Sequence, residues 1–192
     1  MAHYMYTTDA LIVKRIPYDT NVSYLLYTKE LGLISALATG VRKSESKLRY
    51  GLQEYSFSQV SLVKGRHVWR LTGVNLRTNF YFDTESNKAK HVIARICAQI
   101  VRLVAGEEKD EQLFSVITQG LDALSKTTEE DVALLEILLL LRILYKLGYV
   151  SATELEMFVG NDEYTKDMLE KVRTSQASLL AHVNRGLKES QL

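Results

Sequence analysis

Cysteine, proline and tryptophan each occur only once in this chain of 192 residues. The single cysteine, Cys97, excludes an intramolecular disulfide and a cysteine-rich zinc site, and its isoleucine neighbours predict a buried core position. The longest apolar run, residues 132–141, contains Glu136 and is too short and too charged to cross a bilayer. No apolar segment typical of a secretory signal follows the first residues. We therefore expect a cytoplasmic protein without a membrane partner.

Signatures of catalysis are also absent from the sequence. It contains no glycine-rich phosphate loop, no G-x-S-x-G elbow and no H-E-x-x-H motif. The four histidines are scattered without the spacing of metal ligands. We therefore expect a protein that is not an enzyme, with no catalytic residues, no metal, no cofactor and no small-molecule substrate.

Charge and aromatic residues are unevenly distributed although the net charge is only +1. Residues 1–83 contain 11 lysines and arginines against 6 acidic residues, whereas residues 84–192 contain 13 against 17. Of the 17 Phe, Trp and Tyr residues, 12 precede residue 84. A basic, aromatic first part and an acidic, aliphatic second part indicate two modules with different partners.

The first 80 residues have the pattern of β-strands separated by turns. Runs rich in β-branched and aromatic residues predict five strands, at residues 10–16, 22–28, 33–38, 53–63 and 68–74. The connection between the third and fourth strands is the longest. This arrangement predicts a small barrel such as an OB fold, with a five-stranded sandwich as an alternative that periodicity does not separate.

The rest of the chain has the periodicity of helices. Apolar residues at helical spacing predict one helix that ends before Gly106, a second from about Asp110 and a third up to Leu147, followed by shorter ones. The third is apolar nearly all round, which predicts the buried centre of a bundle. We therefore expect an α+β protein with an OB-fold domain at residues 1–80 and an all-α helical domain at residues 81–192.

The loop between the third and fourth strands carries four cations within eight residues, namely Arg42, Lys43, Lys47 and Arg49. Because so many like charges repel one another and cannot be buried, we expect the loop to be solvated and to bind an anion. A basic loop on a rigid β-scaffold predicts contacts with a phosphate backbone. A solvated turn that only aids solubility is the alternative.

Further cations and several aromatic residues accompany this loop. The cations are Lys14 and Arg15 on the first strand and Lys64, Arg66, Arg70 and Arg77 on and after the last hairpin. Alternation along the fifth strand places Arg70 and Trp69 on opposite faces and favours Trp69 as a core residue. The candidates for stacking on bases are Tyr24, Tyr27 and Tyr50, each of which has a place in the barrel wall as its alternative.

The spacing of small and polar residues in this region also matches a known pattern. The matching residues are Thr28, Gly32, Ala38, Gly40, Arg42, Ser46, Leu48, Leu52 and Gln53. In this register the chain resembles the bacterial recombination mediator family RecO, whose first domain is an OB fold. Residues 9–13 are similar to the family's opening strand, and Leu147-Gly148-Tyr149 matches the L-G-Y that closes its central helix. The resemblance is strong over residues 7–75 and weaker over the helices.

The chain also departs from the family pattern. Thr39 and Glu54 replace a usual lysine and proline. Glu156 and Val159 stand in register with a C-x-x-C-G pair that binds zinc in many members, and only 43 residues follow Tyr149. The resemblance therefore implies a short form without the zinc-binding cysteines.

The resemblance implies binding to single- and double-stranded DNA, annealing of complementary strands, and loading of RecA together with RecR and single-strand-binding protein. It implies contacts with RecR and with the acidic C-terminal tail of single-strand-binding protein, and a location at the nucleoid. The basic loop would then hold the DNA backbone. The alternatives are an OB-fold protein–protein adaptor and an RNA-binding module, because stacking and phosphate contacts do not distinguish DNA from RNA.

Overall fold

A computed structural model describes residues 4–18, 21–41, 46 and 48–190, without the side chain of Tyr18. The strands are β1 (Met5–Tyr18), β2 (Asn21–Thr28), β3 (Gly32–Ala38), β4 (Ser56–Lys64) and β5 (Trp69–Asn79). The helices are α1 (Asn87–Leu103), α2 (Glu111–Lys126), α3 (Val132–Lys146), α4 (Glu156–Val159), α5 (Lys166–Thr174) and α6 (Gln176–Glu189). The predicted order of strands and helices is confirmed.

The five strands form a closed barrel in the order β1-β2-β3-β5-β4. All neighbouring pairs are antiparallel except β3 and β5, which pair in parallel through Ala36 with Trp69 and Leu37 with Arg70. Closure through this pair confirms the predicted OB-fold barrel over the sandwich. The strand directions place the ends of β1, β3 and β5 and the starts of β2 and β4 at one end of the barrel, here called the cleft end.

Alternate side chains of each strand fill the barrel interior. Tyr24 and Leu26 on β2, Ile34 on β3 and Leu62 on β4 are almost completely buried there. Trp69 joins them with 4% of its surface exposed, which confirms the prediction that it is a core residue. Burial of this many large apolar groups supplies the main stabilisation of the domain.

Residues 104–110, which we call the strap, pack against the barrel at the end opposite the clefts. The N–H of Leu33 donates to the carbonyl of Gly106 at 3.0 Å. A Cβ on Gly32 would lie 2.3 Å from the backbone oxygen of Glu108, so this close approach requires glycine. Glu107 then accepts hydrogen bonds from Lys64 Nζ and Trp69 Nε1, both at 3.0 Å.

The chain divides into two compact units. One holds the barrel up to Asp83 together with Cys97–Glu111, and the other holds Thr84–Ile96 together with the chain from Gln112 onward. Within the second unit α3 packs against α4, α5 and α6, and ten of its 15 residues are buried. The prediction that this helix is the centre of a bundle is confirmed. Among the described residues, no helix is long and apolar enough to span a membrane.

A buried arginine organises the segment that follows α4. Arg142 on α3 is 1% exposed. Its Nε donates to the carbonyl of Phe158 at 2.9 Å, and one of its terminal nitrogens donates to Asn161 Oδ1 and to the carbonyl of Glu163, each at 3.0 Å. The guanidinium also lies 4.5 Å from the ring centre of Tyr164. Carbonyl dipoles and an aromatic face therefore take the place of a carboxylate partner for this charge.

The strap provides a pH-dependent contact that the single tryptophan reports. Hydrogen bonds from Lys64 and then Trp69 hold the pKa of Glu107 below its ordinary value. A lowered pKa means that the contact stabilises the fold at neutral pH and is lost as the pH falls through the folded-state pKa. We expect Trp69 fluorescence to change on acidification below about pH 4.3, the ordinary pKa of glutamate, and Glu107→Gln to abolish that change. Glu111→Gln, with circular dichroism as a check on folding, is the control. An unaltered transition in Glu107→Gln would contradict this assignment.

Candidate nucleic-acid interface

The connection between β3 and β4 is anchored in the barrel just before β4 begins. Leu52 is 1% exposed, and Leu48 packs against the same core. The N–H of Leu52 donates to the carbonyl of Leu48 at 3.2 Å, which closes one helix-like turn. Because the two leucines face the core, the intervening Arg49 and Tyr50 are exposed to solvent.

Gly51 allows this turn to sit close against the strands. A Cβ at this position would lie 2.6 Å from a methyl carbon of Val74. The carbonyl of Gly51 accepts a hydrogen bond from Ser58 Oγ at 2.9 Å. The turn is therefore fixed to β4 and β5 at the cleft end, and the position of Arg49 is fixed with it.

Two arginines meet in a cleft at this end of the barrel. The cleft, of about 390 Å³, is lined by Arg15, Tyr24, Val41, Arg49, Leu52 and Gln53, and we call it the arginine cleft. Among the described residues, neither arginine has an ion pair with a carboxylate. Glu54 is close, but its Oε1 accepts a hydrogen bond from the backbone N–H of Arg15 at 2.7 Å. Two cations against one carboxylate favour an anionic ligand.

Two of the three predicted stacking residues are buried in the barrel wall. Tyr24 is 1% and Tyr27 0% exposed, so each has the place in the barrel wall that the sequence left open as the alternative to stacking on a base. Burial raises the pKa of Tyr24 despite the opposing effect of Arg15, and burial and then Asp110 raise the pKa of Tyr27. Both hydroxyls therefore stay protonated at neutral pH. Tyr50, at 72% exposed, is the member of the three that is available to a ligand.

The predicted loop cations Arg42, Lys43 and Lys47 lie outside the described residues. Their part in binding stays a prediction from the sequence. The chain on either side of them is fixed, because Val41 is 5% exposed in the barrel core and Leu48 packs against it. Val41, which precedes these three cations, and Arg49, which follows them, both line the arginine cleft.

The remaining predicted cations fall into separate groups. Arg66 and Arg70 are exposed at the β4–β5 hairpin. Arg77 is seven residues beyond Arg70 on β5, which corresponds to roughly 20 Å along the strand. Lys64 is neutralised by Glu107 at 3.0 Å, and Arg77 lies 3.9 Å from Asp9, a weak exposed pair. The cations therefore do not form one continuous surface.

Arg77 is instead connected to the arginine cleft through two adjoining clefts. The second cleft, of about 390 Å³, is lined by Arg15, Pro17, Gln53, Glu54, Tyr55, Tyr81 and Phe82. The third, of about 440 Å³, is lined by Gln53, Leu76, Arg77, Thr78, Asn79, Phe82 and Asp83. Gln53 lines all three clefts, and they follow one another around the cleft end.

Sequence reasoning missed the aromatic residues of this surface. Tyr55, Tyr81 and Phe82 come from two segments that are distant in sequence and meet only when the barrel closes. The available signal was the run of three aromatic residues at 80–82, directly after the last strand. Of these three residues only Phe80 is buried, with 2% of its surface exposed.

Comparison with known proteins agrees with the resemblance seen in the sequence. Residues 1–80 match the family described as recombination protein O N terminal. The chain is 30% identical over 146 residues to a DNA repair protein RecO of Heliobacterium modesticaldum, with 76% of this chain and 52% of that protein covered. It is 28% identical over 127 residues to the Dehalococcoides mccartyi protein of the same name (66% and 50% covered) and 26% over 120 residues to that of Alkaliphilus metalliredigens (62% and 49%). The chain spans about half the length of these relatives.

Because two leucines anchor the turn, we expect substitutions at neighbouring positions in it to differ in their effect on stability. Leu52→Ala removes a fully buried side chain and should lower the free energy of unfolding by about 2–5 kcal/mol. Tyr50→Ala removes an exposed side chain and should change it by no more than about 0.5 kcal/mol. Urea denaturation followed by circular dichroism measures both. Equal losses in the two variants would show that the turn is not anchored as described.

Proposed function

This chain belongs to the RecO family, whose members act in DNA repair and recombination, and from this premise we propose that it is a DNA-binding mediator of those processes. In this proposal it binds single- and double-stranded DNA, promotes annealing of complementary strands, and assists the loading of RecA with RecR and single-strand-binding protein. It does so without chemistry of its own.

The observation that best supports DNA binding is the arginine cleft. Arg15 and Arg49 converge there from β1 and from the anchored turn, and Arg49 is exposed. The loop that holds Arg42, Lys43 and Lys47 leaves from Val41 and returns at Leu48, and both of these residues pack in or against the barrel core. A scaffold that holds Arg15 and the backbone of Arg49 at one end of the barrel suits a phosphate backbone, because less ordering is then required when the ligand binds.

Annealing requires only that charge be compensated. Two strands repel each other through their phosphates, and a cationic surface that holds both lowers this repulsion while base pairing supplies the free energy. The absence of a catalytic motif from the sequence is compatible with this role. RecR and the acidic tail of single-strand-binding protein are proposed as partners on the basis of family membership.

Removal of the four loop cations tests the proposed site. In the variant Arg42→Ala, Lys43→Ala, Lys47→Ala and Arg49→Ala, the affinity for a single-stranded oligonucleotide should fall at least about tenfold at moderate salt. The dependence of log Kd on log salt should also become shallower, because each phosphate contact on a single strand contributes a slope of about 0.7. Fluorescence anisotropy over a range of salt concentrations measures both quantities.

A control with the same change in net charge separates the site from general electrostatics. Replacement of Lys126, Lys166, Lys171 and Lys188 by Ala removes four exposed or half-buried cations from the helical unit and should leave the affinity within about twofold. Equal losses in both variants would contradict the site. An affinity of the unaltered protein that does not change with salt would contradict backbone binding altogether. Competition with an RNA strand of the same sequence distinguishes a preference for RNA.

A further inference from the structure

Three aromatic rings form a platform beside the arginine cleft, which we call the aromatic shelf (Tyr55, Tyr81 and Phe82). Tyr55 and Tyr81 are half-buried, and Phe82 is exposed. The rings of Tyr55 and Tyr81 are stacked, with centroids 5.3 Å apart and planes inclined by 28°. Phe82 meets Tyr81 edge-on at 5.5 Å and is 64% exposed. Because Phe82 is exposed to this degree, it does not contribute the hydrophobic stabilisation that a buried phenylalanine gives to a fold.

A single buried side chain assembles the shelf from its two segments. Asn79, 4% exposed, accepts hydrogen bonds on Oδ1 from the backbone N–H groups of Tyr81 (3.1 Å) and Phe82 (3.0 Å). Its Nδ2 donates to the carbonyl of Glu54 at 3.1 Å and to Ser56 Oγ at 2.9 Å. The same amide therefore holds both the 81–82 and the 54–56 segments, and the shelf is preformed before any ligand binds.

The backbone of Tyr55 is held in a conformation that bulky residues avoid. Its φ is +68°, the only positive value among the described residues other than glycine. Its N–H donates to the carbonyl of Ile12 at 2.7 Å, and its carbonyl accepts from the N–H of Phe80 at 3.2 Å. Strain of this kind persists where the surroundings enforce it, and it orients this ring against Tyr81.

The charged residues around the shelf indicate which kind of ligand binds on it. Arg15 and Gln53 line both the arginine cleft and the cleft that contains the shelf, and Arg77 lines the next cleft together with Phe82. Two carboxylates, Glu54 and Asp83, also line these clefts, and each accepts a hydrogen bond from a backbone N–H, at 2.7 and 3.0 Å. Apolar ring faces thus lie between cationic groups. This alternation matches a single strand of nucleic acid, in which flat bases alternate with phosphates. A duplex keeps the faces of its bases stacked inside and offers none of them to the shelf.

We propose that the aromatic shelf stacks unpaired bases of a nucleic-acid strand whose phosphates lie in the arginine cleft. The inference deepens the proposed function and rests on it. Cations alone would bind single-stranded and duplex nucleic acid alike, and the shelf adds a preference for single strands. The main stacking contact is assigned to Phe82.

Substitutions of Phe82 test the shelf without disturbing the core, because this side chain is largely exposed. Phe82→Ala should weaken binding of a single-stranded oligonucleotide at least about fivefold, the lower bound for loss of one stacked base. Phe82→Leu should weaken it similarly, since leucine keeps apolar bulk but has no aromatic face, whereas Phe82→Trp should retain affinity. Binding of a duplex, and of an abasic strand of equal length, should stay within about twofold in all three variants. Met157→Ala, which removes an exposed apolar side chain of the helical unit, is the matched control.

The outcomes separate this inference from the proposed function. Binding of Phe82→Leu at the level of the unaltered protein, or equal losses for single strand and duplex, would overturn the shelf. Loss of affinity in the loop variant with none in Phe82→Ala would keep the proposed function and overturn the shelf. If the unaltered protein bound neither strand form, the proposed function would fail, and the shelf with it.

Discussion

Closure of the barrel through the parallel pair of β3 and β5 is the constraint on which the candidate site depends. Because β5 runs beside β3 in the same direction, the chain leaving β3 must cross one end of the barrel to begin β4. That crossing covers the interior with Leu48 and Leu52 and leaves Arg49 outside. It then brings Gln53 to the end of β1, where Arg15 lies. The arginine cleft is therefore a consequence of topology, with the cations placed where the connection has to pass.

The distribution of acidic groups gives the two ends of the barrel different properties. At the strap end, Glu107 neutralises Lys64, and Lys109 bridges Glu30 and Glu111 at 2.8 and 2.7 Å. At the cleft end, Glu54 and Asp83 are engaged by backbone N–H groups, Glu54 by that of Arg15 and Asp83 by that of Asn79. The overall charge of +1 conceals this difference between the two ends of the barrel.

The sequence predicted the strands and helices well and the residues of the candidate binding surface less well, and the fold explains the difference. Alternation assigned Trp69 to the core correctly because β5 has one face in the interior. Both Tyr24 and Tyr27 were candidates for stacking, although they lie on opposite faces of β2. In the structure Leu26, Tyr27 and Thr28 are all buried in succession. Burial on both faces arises from residues distant in the chain, and local periodicity carries no information about them. The shelf was missed for the same reason, because Asn79 joins its two segments only after closure.

The binding of a strand that we propose for the arginine cleft and the aromatic shelf has a consequence for the proposed annealing activity. A protein that recognised bases through hydrogen bonds would occupy the edges that a complementary strand needs. Stacking uses the faces of the bases and is tolerant of sequence, so the edges of a strand held in this way stay free to pair. Once pairing begins, the bases stack on one another and leave the shelf, while the phosphates can still contact the cations. On this view a surface of this kind binds the separated strand more strongly than the product and releases the product as it forms, with base pairing as the only source of free energy.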